Sequence, residues 1–299
     1  MGQTGSGKTE LAELIADELG AQLINADAFQ VYRGLDIGTN KPRDRAKYKL
    51  LDIVEPSDDF GAGLWIQLAV KELIELFDHG QSAVLVGGTG FYIRALMEEY
   101  EEIATAPDPA LRAELEVREI ECGLKTLVQE LLELSPTTTV DLQNPVRVRR
   151  ALERELSGPS RMMFKLPGFV KLKLATNPEL ESLERGLVDR VSEMWDAGWP
   201  SEVEGVLSKG VPTTSPGFRA IGYQSVAGFV KGDCTRDEAE AEIVLKTRQY
   251  AKRQRTWLRS EPGLQHLPLT RIYDDGQKQA LLSAARTIIR RGVTKESNG

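Results

Sequence analysis

Apolar residues at Leu11, Leu14, Ile15 and Leu19 recur at three- and four-residue spacing and stop at Gly20, which predicts an amphipathic helix closed by a glycine. The short apolar run Gln22 to Asp27 then reads as a parallel strand with Asp27 at its C-terminal end, where open α/β sheets place ligands. Residues 30–42 are rich in glycine and polar groups and read as an ordered loop. Leu64, Leu68, Leu73, Leu76 and Phe77 mark a second helix over 64–77, and Ala83 to Val86 a buried strand running into the turn Gly87-Gly88-Thr89-Gly90. From about Glu98 to Leu156 the pattern is charged and helical, with no strand-like run; Pro107, Pro109, Pro136 and Pro145 punctuate it, and Ser157-Gly158-Pro159-Ser160 lies near its exit. Alternation at Phe169 to Leu174 predicts one more strand, the remainder to Arg291 mostly helix, and Gly292 to Gly299 a frayed tail.

What stands ahead of the first helix changes the picture. Gly2-Gln3-Thr4-Gly5-Ser6-Gly7-Lys8-Thr9 fits the phosphate-binding pattern G-x-x-x-x-G-K-[ST] at every fixed position. The glycines let successive N–H groups turn toward phosphate oxygens, Lys8 adds a mobile positive charge, and Thr9 offers a hydroxyl suited to Mg²⁺. The N-terminus of the following helix adds a partial positive charge. With the strand pattern this gives an α/β fold, a P-loop NTPase-like parallel sheet flanked by helices with a helical insertion domain. Its expected core is 1–97 and 165–299, and its insertion 98–164. Such a loop hangs off a buried strand, yet only Met1 precedes Gly2. A chain extended upstream by about ten residues is therefore expected to be more stable, and equal melting temperatures would refute that. The strand at 83–86 ends in glycine where ATP hydrolases often place an Asp for Mg²⁺, which counts against an ATPase or motor.

Composition narrows the class. The 299 residues are 41% hydrophobic and 28% charged, ordinary for a globular protein of one large or two smaller domains. No run of about eighteen apolar residues and no leader ahead of the loop argue for the cytoplasm rather than a membrane or secretion. Two cysteines, Cys122 and Cys234, and two histidines, His79 and His266, leave little material for disulfides, zinc or histidine dyads. The net charge of −7 argues against indiscriminate nucleic-acid binding, but its distribution does not. Lys246 to Arg259 holds six basic and no acidic residues, with Arg248, Lys252, Arg255 and Arg259 on one helical stripe. Arg147, Arg149, Arg150 and Arg154 form a second cluster, and the two unopposed clusters read equally as solvated helix faces or as a surface for a polyanion.

The loop, Asp27 and the Gly87-Gly88-Thr89 turn converge on one sheet edge. A phosphate cradle beside a carboxylate suits a group transfer in which the acid takes a proton from the nucleophile. Asp27 could equally be a Mg²⁺-associated acid or a loop cap. The blocks Gly2 to Thr9, Asp27 to Pro42, Val86 to Tyr92, Arg147 to Glu153, Ala220-Ile221-Gly222-Tyr223 and Thr247 to Trp257 together resemble the tRNA dimethylallyltransferases, in family order and over nearly the whole chain. The resemblance implies transfer of a dimethylallyl group from dimethylallyl pyrophosphate to the exocyclic amine of the adenine beside the anticodon, with Mg²⁺. Gly2 to Thr9 and Thr89 would hold the pyrophosphate, Thr9 the metal, and Asp27, Thr9 and Arg219 the chemistry. The adenine would flip into a channel. Asp27, Ala28, Phe29, Gln30, Thr89, Arg112, Arg147, Arg149, Arg150, Arg248, Lys252 and Arg255 would contact tRNA, with no obligate protein partner implied. The chain departs from the family at Ala28, where Ser is usual, at Gln224-Ser225, where a basic residue usually follows Tyr, and in a shorter stretch from Leu156 to Phe169. Competing readings are an adenine-nucleotide isopentenyltransferase, a small-molecule kinase and a tRNA-binding protein without catalysis.

Overall fold

The computed structural model describes residues 1–99, 109–157, 166, 168–176, 180–267 and 275–296. Pro107, the segment Gly158-Pro159-Ser160 and residues 297–299 lie outside them. The chain forms a mixed α/β structure in two compact units, one of residues 1–98 with 166–299, the other of residues 99–165.

In the first unit, α1 (Lys8–Leu19) ends at Gly20, whose left-handed backbone (φ 60°) only glycine adopts without cost. It buries Leu11, Ala12, Ile15 and Ala16, whereas Leu19 is exposed. β1 (Gln22–Asn25) is the centre of a three-stranded parallel sheet, between β2 (Tyr48–Lys49) and β3 (Ala83–Val86). The two-residue β2 carries no pattern legible in sequence. β3 is only partly buried except at Val86, a correction to the fully buried strand expected, because it pairs on one side with β1 alone in its sheet. α2 (Ala62–Asp78) also presents a different face from the one expected. Trp65, Ile66, Ala69, Val70, Leu73 and Leu76 are buried, while Leu64 and Phe77 are 36% and 42% exposed.

β4 (Lys173–Thr176) pairs parallel with β5 (Leu264–Leu267). The strand expected from Phe169 thus starts four residues later, where β5 and the first residues of the chain offer partners. Gly2 bridges Thr176, the Met1 nitrogen donates to the Leu174 carbonyl at 2.6 Å, and the Thr176 N–H donates to the Met1 carbonyl at 3.2 Å. Strand-like pairing therefore runs up to the glycine loop.

Helices α3 (Gly90–Met97), α7 (Leu180–Asp196), α8 (Trp199–Ser208), α9 (Tyr223–Lys231), α10 (Arg236–Arg259) and α11 (Asp275–Glu296) complete this unit. α11 runs past Gly292, so that segment is helical to Glu296 rather than frayed. The largest core among the described residues joins Trp195, Trp199, Val203, Phe218, Tyr223 and Ile243 to Val31, Tyr32 and Leu35 of the loop after β1. That packing explains why a loop so polar is ordered.

The second unit is α4 (Pro109–Cys122), α5 (Leu124–Leu134) and α6 (Pro145–Leu156), closed around Leu115, Leu127, Leu131, Val148, Ala151 and Leu152. Asn144 caps α6 through the Arg147 N–H, and Pro145 fills its first turn.

Candidate active site

The glycine loop turns twice through left-handed backbone, at Gly5 (φ 77°) and Gly7 (φ 72°). Gly7 is the N-cap of α1 and no side chain caps that helix, so the first-turn N–H groups lack the partner a cap would supply. Ser6 and Thr176 share a buried hydroxyl–hydroxyl bond of 2.7 Å, which ties the loop to β4. Lys8 lies across the loop with Nζ 3.4 Å from the Gln3 carbonyl. Burial lowers its pKa to about 8; Arg190 pushes the same way and Asp27 opposes.

Asp27 sits two residues beyond β1 in a tight turn. Its Oδ1 accepts from the Phe29 N–H at 3.0 Å, and the Asn25 side chain accepts from its own N–H at 3.1 Å. The Gly87–Gly90 turn packs directly on this segment. A Cβ on Gly87 would lie 2.0 Å from the Ala26 carbonyl oxygen, so only glycine permits the approach. Thr89 Oγ1 accepts the Ala28 N–H at 3.1 Å.

A cavity of about 670 Å³ opens between these groups. Thr4 to Glu10, Asp27, Phe29, Gln30 and Arg219 all line it. Gln30 holds the opposite rim, its Nε2 donating to the Thr39 and Asn40 carbonyls at 3.0 Å each. The same rim is fixed from below. Glu202 accepts the Asp36 and Ile37 N–H groups at 2.8 Å and the Tyr223 hydroxyl at 2.7 Å, and burial raises its carboxyl pKa. Trp199 is wedged against Gly38, where a Cβ would lie 2.3 Å from the ring.

The wall includes residues that sequence reasoning missed: Arg190 and Met194 of α7, and Thr247, Tyr250, Arg253 and Gln254 of α10. Burial pushes the Tyr250 hydroxyl pKa up, and Asp27 adds to the shift. Charge is the dominant signal from Lys246 to Arg259, and it hides the inward-facing residues. Nothing in the sequence singled out Arg190.

Other expected site residues lie off the cavity wall. Gly2 and Gln3 are buried behind the loop, Thr89 holds the Ala28 peptide, and Arg248 and Lys252 are on the exposed side of α10. The arginine cluster of the second unit is not unopposed, and that expectation is corrected. Arg147 pairs with Asp141 at 3.7 Å, Arg149 with Glu116 at 3.6 Å and with Glu119, and Arg150 with Glu153 at 2.7 Å. Arg112 meets the same Glu153 at 3.4 Å, and that carboxylate is buried. Glu116 and Glu119 come from α4, too far along the chain for a local charge count to reveal, whereas Asp141 lies in the turn before α6 and Glu153 on α6 itself. Neither cysteine forms a disulfide, and no group of three potential metal ligands from His, Cys, Asp and Glu occurs among the described residues. None of the described helices is long and apolar enough to cross a membrane.

A cation-bearing glycine loop and a carboxylate share one cavity on a parallel α/β scaffold. Residues 30–261 match the family model described as IPP transferase, and the chain belongs to that family. It is 39% identical over 274 residues to the tRNA dimethylallyltransferase of Thermus thermophilus, covering 88% of this chain and 89% of the relative. To tRNA dimethylallyltransferase 2 of Geotalea daltonii it is 37% identical over 277 residues, covering 88% and 85%. The full-length tRNA isopentenylpyrophosphate transferase of Bacillus halodurans superposes with a TM-score of 0.71 at 27% identity, over 99% of this chain and 97% of that one. A eukaryotic dimethylallyltransferase acting on tRNA shares the fold, with a TM-score of 0.77 at 20% identity over 99% and 78%.

Proposed function

We propose that this chain is a tRNA dimethylallyltransferase built on a P-loop type core and working in the cytoplasm. It moves a dimethylallyl group from dimethylallyl pyrophosphate to the exocyclic amine of the adenine beside the anticodon. The observation that carries the reading is the placement of Asp27 and the Lys8-bearing loop on one cavity wall. The amine nitrogen attacks the allylic carbon, the carbon–oxygen bond to pyrophosphate breaks, and Asp27 takes the amine proton. Lys8, Arg219 and the N-terminus of α1 stabilise charge that grows on the departing oxygens.

Mg²⁺ is the proposed cofactor. The Thr9 hydroxyl lines the cavity, and the described residues hold no three-ligand cluster. That suits a hard cation which keeps several waters and binds through phosphate oxygens. Thr9 would hold it, and it would neutralise leaving-group charge. The adenine must leave its stack to enter the cavity. Phe29, Gln30 and the peptide of Ala28, held by Thr89, form the acceptor rim. Arg112, Arg147, Arg149 and Arg150 of the helical insertion, with Arg248, Lys252 and Arg255 of α10, are the proposed contacts to the anticodon stem-loop.

The test is single-turnover transfer of labelled dimethylallyl pyrophosphate to an anticodon stem-loop, with AMP and ATP as competing acceptors. Label on RNA alone supports the reading, and label on the nucleotide overturns it. Asp27→Ala should cut the rate by roughly 10²–10⁴-fold and leave stem-loop affinity nearly intact; parallel loss of binding would make the acid structural.

A further inference from the structure

Gln254 is a neutral residue inside the most cationic stretch of the chain, and it faces inward. It is 7% exposed, on the wall of the cavity. Its Oε1 accepts the Thr4 N–H at 2.8 Å, and its Nε2 donates to the Gly88 carbonyl at 2.9 Å. The amide orientation is fixed by its partners, since the first can only donate and the second only accept. Tyr250 adds a longer bond of 3.4 Å from its hydroxyl to the same Gly88 carbonyl. A Cβ on Gly88 would lie 2.5 Å from Gln254 Nε2 and 3.5 Å from Asp27 Oδ2. One amide thus joins the glycine loop to the turn beside the acid.

The turn carries that link onward. The Thr89 N–H reaches the Ala26 carbonyl at 3.4 Å, and Thr89 Oγ1 holds the Ala28 N–H, so the peptides on both sides of Asp27 hang from the segment Gln254 grips. We infer that Gln254 is a positioning residue for the transfer, setting the separation between the pyrophosphate cradle and the proton acceptor. The role rests on the proposed reaction. The Thr4 N–H is occupied by this amide, which leaves donation to phosphate to the later residues of the loop and the first turn of α1.

Gln254→Leu removes both bonds at similar volume. Gln254→Glu keeps the acceptor for Thr4, loses the donor to Gly88 and adds a charge facing Asp27, which Lys8 of α1, Tyr92 of α3 and Tyr250 of α10 also face. Three readouts are taken on the full chain: calorimetric affinity for inorganic pyrophosphate with Mg²⁺, the single-turnover rate against pH, and stem-loop affinity. Gln254→Leu should weaken pyrophosphate binding about tenfold and slow transfer about a hundredfold, since small misplacement of reacting groups costs that much. Gln254→Glu should move the acid limb of the rate profile to higher pH, because a second carboxylate favours protonation of the first. Stem-loop affinity should change less than twofold in both. Wild-type pyrophosphate affinity, rate and pH limb in both variants would overturn the role, as would losses that merely track a lowered melting temperature. A wild-type chain that binds pyrophosphate but transfers nothing would refute the proposed reaction, and the pyrophosphate titration would still decide whether Gln254 sets the cradle. A wild-type chain that binds no pyrophosphate overturns both.

Discussion

Lys8 gives the most direct test of the cradle, because burial lowers its pKa to about 8 and so brings its charge within an accessible pH range. A trianionic donor in the cavity binds the protonated amine, so affinity should fall as pH rises through that value. With a pKa of about 8 the amine is about nine-tenths protonated at pH 7 and about one-tenth at pH 9. If the bound complex holds the proton throughout, the dissociation constant rises about tenfold between the two. The assay is isothermal titration with a monoalkyl pyrophosphate, fully ionised over this range, in buffers of different ionisation enthalpy. Near pH 8 binding should take up about half a proton per site. Lys8→Arg keeps a charge that does not titrate below pH 12, so its affinity should be flat over the same range. The linkage has a stability counterpart of defined sign. A lysine whose folded pKa lies below its unfolded value weakens the fold while charged, so the free chain should gain stability as pH rises from about 8 toward 10.5. Wild-type affinity that stays level from pH 7 to 9, with no proton uptake, would refute the placement of Lys8 against the bound pyrophosphate.

Three further outcomes are expected. Gly38→Ala should cost about 1–3 kcal/mol by overpacking, because the new methyl would meet the Trp199 ring at 2.3 Å; an unchanged denaturation midpoint would show that the rim yields freely. Arg150→Ala should flatten the salt dependence of stem-loop binding by about one unit of slope, and an unchanged slope removes it from the interface. The same change withdraws a cation from the buried Glu153 and should lower the melting temperature, so RNA binding must be read well below that transition. Arg248→Ala with Lys252→Ala should weaken stem-loop binding in low salt and leave pyrophosphate affinity within twofold, since neither residue lines the cavity; joint loss of both would place α10's outer face in the donor site.

Sequence reading reached those parts of the molecule where one residue type has one job. The glycine loop, the Gly20 helix stop and the strand before Asp27 each rest on local backbone demands, and local demands are written in consecutive residues. It failed where neighbours come from afar. α2 has apolar residues on two adjoining faces, and only the rest of the fold decides that Trp65 and Ile66 go inside while Leu64 and Phe77 stay out. β2 is too short to show alternation, β5 (Leu264-Gln265-His266-Leu267) carries none, and β4 begins where its partners begin. Arg149 of α6 reads as free charge because its partners Glu116 and Glu119 lie about thirty residues upstream.

Of the six cations of α10 between Lys246 and Arg259, Arg248, Lys252, Arg255 and Arg259 fall on one helical stripe, and Arg253 lines the cavity instead. Ala251, Gln254 and Leu258 are buried at i, i+3 and i+7, while Arg248, Lys252 and Arg259 are exposed. The inner face meets two loops with an uncharged amide, and chemistry requires that choice. An arginine at position 254 could not accept the Thr4 N–H, and a glutamate could not donate to the Gly88 carbonyl. On the proposed reading one continuous block of sequence would serve two functions that different residues can be changed to separate, the outer face in RNA affinity and the inner face in the geometry of transfer.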